Sequence, residues 1–150
     1  MNPTSKIERY GLLGYVTSRE FGGLRIPVPL QSLALRDYCS RRSFVYKLHS
    51  NENIFPNSYL VLDGLINAVP SSKGIVMCSI FMLPESKSLR MKFLERIFNH
   101  SGEVHFVLED IVLQDIYDVK HVDLILNCVA IQKKCLKPIA FKDLLVTRKL

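Results

Sequence analysis

Apolar positions in this chain fall into short runs and helical stripes that take turns. The longest run, Gly74-Ile75-Val76-Met77-Cys78-Ser79-Ile80-Phe81-Met82-Leu83, is almost unbroken and β-branched near its start. That is the pattern of a strand buried on both faces. Pro84-Glu85-Ser86 follows at once. Proline suits the first helical position, where its missing N–H would be unpaired anyway, and Glu85 suits the positive end of the helix dipole. The segment predicts strand, sharp turn and helix N-terminus, which is where open α/β sheets place their ligand sites.

The flanking chain predicts more of the same. Tyr10–Val16 reads as a first strand, and Phe21–Pro29, with Gly22-Gly23 and two prolines, as a loop. Leu30, Leu33, Ala34, Leu35, Tyr38 and Cys39 keep helical spacing from Leu30 to Arg42. Ser43–Leu48 has the β-branched and aromatic content of a strand, and 49–57 is a polar loop. Asn57 or Ser58 can cap a second helix with Leu62, Leu65, Ile66 and Val69 on its inner face, stopped by Pro70.

A third helix is expected from Pro84 to Asn99. Leu89, Phe93, Leu94, Ile97 and Phe98 would face inward, with Lys87, Arg90, Lys92, Glu95 and Arg96 outward. Ser101-Gly102 ends it, Glu103–Leu108 forms a fourth strand, and Ile111–Leu113 a short fifth. Val119, Val122, Leu126, Val129 and Ala130 mark a last helix that Lys137-Pro138 ends. Alternating strands and helices predict one α/β domain over 1–150, with its core at about 10–135. The sheet should be mainly parallel, with four to five strands and helices on both faces.

Composition narrows this picture a little. The 150 residues, 48% hydrophobic and 23% charged, fit a folded domain with a real core. No apolar run approaches the ~18–20 residues of a membrane span, and the polar start, Met1 to Arg9, lacks a signal-peptide core. The expectation is a soluble cytoplasmic protein without membrane insertion. Cysteines at 39, 78, 128 and 135 form no Cys-x-x-Cys and have no nearby His pair, so reduced thiols are expected and zinc is not. The formal charge of +6 is spread over scattered lysines and arginines rather than a run, which argues for solvated faces over a nucleic-acid patch. No Gly-x-Gly-x-x-Gly or Gly-Lys-Ser/Thr follows a strand, and no cofactor is expected.

In a parallel sheet the residues after each strand converge on one edge. Here they are Thr17, Ser18 and Arg19; Glu52; Ser79 and Glu85; and Glu109, with Tyr59 opening the helix beside them. Carboxylates move protons, hydroxyls hold hydroxyls, and Arg grips a carboxylate or phosphate in a fork. Glu52, Glu109, His105 and Ser18 are the candidate catalytic residues; Thr17, Arg19, Tyr59, Ser79 and Glu85 the candidate binding residues. Each also has a structural reading. Ser18 can cap a turn, Arg19 can pair with an acid, Tyr59 can pack, and His105 can be a hydrogen-bonded core histidine.

Two family likenesses emerge from these residues. Gly14-Tyr15-Val16-Thr17-Ser18-Arg19, Gln31, Arg36-Asp37-Tyr38-Cys39, Ser58-Tyr59, Ser79 to Pro84 and His105 to Glu109 together resemble the sporadic carbohydrate cluster protein family over about residues 10–113. That resemblance implies a bacterial protein of surface-polysaccharide or sialic-acid-like sugar synthesis. The layout also resembles the catalytic domain of serine recombinases (resolvases), which places Ser18 near the nucleophile position. Two departures stand against carrying the activity over. The family's Tyr-x-Arg-Val-Ser becomes Tyr15-Val16-Thr17-Ser18, and its Asp-Arg-Leu-x-Arg stretch becomes Phe81-Met82-Leu83-Pro84-Glu85. The arginines lost are those that neutralise the transferring phosphate.

The functional expectation is therefore an enzyme of carbohydrate biosynthesis, an isomerase or epimerase, acting on a sugar acid or nucleotide sugar, with homo-oligomers allowed. The alternatives are a degenerate recombinase-like DNA-binding protein and a non-catalytic partner of a sugar-modifying enzyme.

Overall fold

A computed structural model describes residues 11–135. Tyr10 and Lys137-Pro138, used above as boundaries, lie outside the described residues. The elements are β1 (Gly11–Thr17), α1 (Val28–Arg41), β2 (Val45–Glu52), α2 (Leu60–Ala68), β3 (Gly74–Met77), α3 (Lys87–Asn99), β4 (Glu103–Phe106), β5 (Ile111–Leu113) and α4 (Val119–Cys135), with 3-10 turns at Val69–Ser71 and Ile80–Met82. The strands form one sheet in the order β2-β1-β3-β4-β5. β1 pairs in parallel with β2 and β3, β3 in parallel with β4, and β5 antiparallel with β4. Every residue of β3 and β4 is buried, so both sheet faces are covered, as the unbroken apolar run requires.

The central run is shorter as a strand than its pattern predicts. β3 stops at Met77, and Ser79 turns the chain into the 3-10 turn by accepting the Phe81 N–H at 3.3 Å. Residues 80–83 remain apolar because that turn is itself packed in the core. α3 begins at Lys87, not Pro84, because the Ser86 hydroxyl accepts the Leu89 N–H and supplies the cap. At the other end of the sheet, β4 closes at Phe106 and its chain turns back into β5.

Four further expectations are corrected. α1 starts within the expected loop, at Val28, because Pro29 sits in its first turn, where no N–H is missed. Its buried face is Gln31, Ser32, Leu35, Tyr38 and Cys39, while Leu30 and Leu33 are 55% and 62% exposed. β2 runs on through the expected polar loop to Glu52, since β1 holds it in register as far as Thr17 opposite Glu52. Between Leu13 and Tyr15 the register slips, and β2 carries one extra residue there. Arg90, expected to face outward, is 3% exposed.

The rotated face of α1 can be measured directly. Leu35→Ala should cost about 2–5 kcal/mol in urea unfolding, as for a buried leucine, whereas Leu33→Ala should stay within about 0.5 kcal/mol of the parent. Equal losses at the two positions would refute the observed face.

Candidate functional site

At the carboxyl edge β1 ends on Thr17, whose backbone is clamped by one side chain. The Thr17 N–H donates to Gln31 Oε1 at 3.1 Å, and Gln31 Nε2 donates to the carbonyls of Thr17 at 2.6 Å and Ile26 at 2.7 Å. Gln31 is fully buried for this reason. The Thr17 hydroxyl accepts the Arg19 N–H at 3.1 Å and Arg19 Nε at 3.4 Å. Arg19 Nη1 donates to the Phe55 carbonyl at 3.0 Å, and the guanidinium lies 4.8 Å from the centre of the Tyr59 ring. Tyr59 in turn meets Phe93 edge-on. Burial pushes the Tyr59 phenol up against the opposing pull of Arg19, so it is a neutral hydroxyl.

Arg19 is thus held by neutral groups. Among the described residues no carboxylate pairs with it, and its second terminal nitrogen makes no hydrogen bond. It faces a groove of about 780 Å3, a size typical of small-ligand sites. Thr17, Arg19, Glu20 and Arg25 line it from the chain after β1, and Ile54, Pro56 and Tyr59 from the chain after β2. Phe81 to Glu85 line it after β3, and Leu126, Asn127, Val129, Ala130, Lys133 and Lys134 of α4 complete it. Gly22 belongs to the same rim: its φ is +59°, and a Cβ there would stand 2.7 Å from the Phe81 ring.

Of the candidates, Thr17, Arg19, Tyr59 and Glu85 come together in this groove. The others do not line it. Ser18 is exposed and makes no side-chain hydrogen bond among the described residues. Ser79 is buried and donates its hydroxyl to Glu109 Oε1 at 2.5 Å, while Glu109 Oε2 accepts the Ile80 N–H at 3.2 Å. Glu52, 2% exposed, accepts from the Tyr15 hydroxyl and from the N–H groups of Asn53, Val61 and Leu62. It caps α2, a task expected of Asn57 or Ser58. Burial also pushes the thiols of Cys39 and Cys78 up to about 11, so neither offers a thiolate nucleophile.

His105 lies in β4, away from the groove lining. Its Nδ1 is 2.8 Å from the Tyr38 hydroxyl and its Nε2 3.0 Å from Glu103 Oε2. Glu103 also takes Lys73 Nζ and Gln114 Nε2, each at 3.0 Å. One neutral tautomer satisfies the set, with Nε2–H donating to Glu103 and Nδ1 accepting from Tyr38. Burial pulls His105 below the ordinary histidine value despite the opposing pull of Glu103. For Glu103 burial acts upward, but Lys73 and His105 outweigh it and the carboxyl sits below its usual range.

Because the unfolded chain takes the histidine proton first, His105 contributes stability that is complete above about pH 6.5 and lost as pH falls through that value. The unfolding free energy from urea titration should therefore drop as pH is lowered from about 7.5 to about 5, by up to about 1.4 kcal/mol per pH unit from this group. His105→Gln should flatten that slope; an unchanged slope would refute the assignment.

Two groove features had no counterpart in the sequence reading. Lys133 and Lys134 belong to it because α4 packs on the 80–82 turn, a tertiary fact. Arg90 ties floor to wall: Nη1 donates to the carbonyls of Pro84 at 2.9 Å and Glu85 at 3.1 Å, and Nε and Nη2 grip Asp123 of α4 at 3.0 and 2.7 Å. An Arg within an otherwise apolar helix stripe was the available signal. Arg90→Met should cost up to about 3–5 kcal/mol, because buried Asp123 loses both guanidinium hydrogen bonds and keeps only the Lys87 ammonium at 3.8 Å. Arg90→Met with Asp123→Leu should recover part of that loss in the same urea titration.

Sheet order, the single antiparallel edge strand and the helical cover define a resolvase-like α/β domain. Among solved structures, the N-terminal catalytic domain of TP901-1 integrase, a serine recombinase, superposes on this chain with a TM-score of 0.58. The match covers 83% of this chain and 98% of that domain at 13% identity, and so shows the fold. No protein-family model and no curated protein matches the sequence. The carbohydrate-cluster resemblance therefore finds no support in these comparisons. No helix among the described residues is long and apolar enough to cross a membrane.

Proposed function

We propose that the protein binds a small organic anion, a sugar acid or a nucleotide sugar, in the groove at the carboxyl edge of its sheet. The observation that carries this reading is Arg19, a half-buried guanidinium oriented by Thr17, the Phe55 carbonyl and Tyr59 and without a counter-charge among the described residues. Holding a cation in place with neutral groups keeps its charge for a ligand. Glu20 and Glu85 are the carboxylates that line the groove, and they suit ligand hydroxyls. An isomerase or epimerase would draw its proton transfer from these two, because Glu52, Glu109 and His105 are engaged within the fold.

Isothermal titration against N-acetylneuraminate and UDP-sugars tests the reading. Arg19→Ala should weaken binding about ten- to a hundredfold, the worth of a charge-assisted hydrogen bond. Unchanged affinity would remove Arg19 as the anchor.

The recombinase fold favours a second reading, in which the partner is DNA. It predicts duplex binding that weakens steeply with salt. Strand-transfer chemistry does not follow from the fold. Ser18 lies next to one guanidinium, that of Arg19, and the 81–84 stretch supplies an apolar floor where further arginines would be needed.

A further inference from the structure

The groove takes its positive charge from two separate places. Arg19 and Arg25 come from the chain after β1, whereas Lys133 and Lys134 come from the last turns of α4. Between them the floor is apolar, from Phe81 to Pro84. α4 packs against the turn that makes this floor, and Arg90 bonds both to the floor carbonyls and to Asp123 of α4, so the spacing of the two cationic ends is built in. None of the four cations has a carboxylate partner among the described residues, although six other Lys or Arg side chains here do.

The two ends also differ in chemistry. Arg19 offers its second terminal nitrogen from a fixed position, a directional charged donor that suits a carboxylate. Lys133 and Lys134 are adjacent point charges on exposed, flexible stems, which suit the spread charge of a phosphate or diphosphate. Resting on the small-anion reading above, we propose that the ligand is two-headed: an organic molecule with a carboxylate at one end, held by Arg19, and a phosphate or diphosphate held by Lys133 and Lys134, joined by a span that lies on the Phe81–Pro84 floor. This is the chemistry of a nucleotide-activated sugar acid rather than of a sugar acid alone or of a nucleotide sugar without a carboxylate.

The test is a three-by-three titration. The ligands are UDP-glucuronate, which has both heads, UDP-glucose, which lacks the carboxylate, and glucuronate, which lacks the diphosphate. The proteins are the full chain, Arg19→Gln and Lys133→Gln/Lys134→Gln, each first shown to melt with the parent's cooperativity. The parent should bind UDP-glucuronate about tenfold or more tightly than either one-headed ligand. Arg19→Gln should erase the preference over UDP-glucose, and the double lysine variant the preference over glucuronate. Equal parental affinity for UDP-glucuronate and UDP-glucose would overturn the two-headed assignment, as would either variant weakening all three ligands by one factor. In both cases the groove remains an anion site. Failure of all three ligands, and of N-acetylneuraminate, to bind would overturn the small-anion reading as well.

Discussion

One buried carboxylate holds the carboxyl edge of this sheet together. Glu52, at the end of β2, accepts the Tyr15 hydroxyl from β1 at 3.2 Å, the Asn53 N–H at 2.9 Å, and the Val61 and Leu62 N–H groups of α2 at 3.1 Å each. Those last donors belong to the first turn of a helix and would have no partner inside it. Tyr59, at the cap position of α2, offers no side-chain cap. A buried carboxylate is costly unless it is fully hydrogen-bonded, and here four donors satisfy it. Burial and the neighbouring Glu52 charge both keep the Tyr15 phenol protonated, so it remains a donor. Because Glu52 seats the start of α2, it also fixes where Tyr59 stands, and with it the surface on which Arg19 rests.

Most of the architecture was readable because burial on both faces leaves few other interpretations. The apolar run from Gly74 and the Glu103–Leu108 stretch read as strands, β3 and β4 fall within them, and the 62, 65, 66, 69 stripe lies inward as its spacing requires. Failures occurred where a polar side chain took a structural task. Gln31 is buried to clamp Thr17, which turns α1 and leaves Leu30 and Leu33 outside. Arg90 is buried to hold Asp123 and two carbonyls. Single-residue polarity carries no record of a partner many positions away.

The site shows the same division. Thr17, Arg19, Tyr59 and Glu85 line one groove because strand ends in a parallel sheet meet at one edge. Glu52, Glu109 and Ser79 stood at the same edge in the sequence, yet their oxygens close helix and turn ends rather than face the groove. Unsatisfied backbone donors at a sheet edge need acceptors as much as a ligand does. The fold thus recurs in a recombinase domain at 13% identity.

The two margins of the sheet are also unlike each other. One is β5, three residues long and antiparallel; the other is β2, eight residues long and paired along one side only among the described residues. A long open margin invites another chain to extend the sheet. β2 carries Lys47, His49, Ser50 and Asn51 where a buried strand would be β-branched, and its register slip breaks the even spacing of its hydrogen bonds. The polarity that made residues 49–52 look like a loop is what makes this margin a poor template for intermolecular assembly.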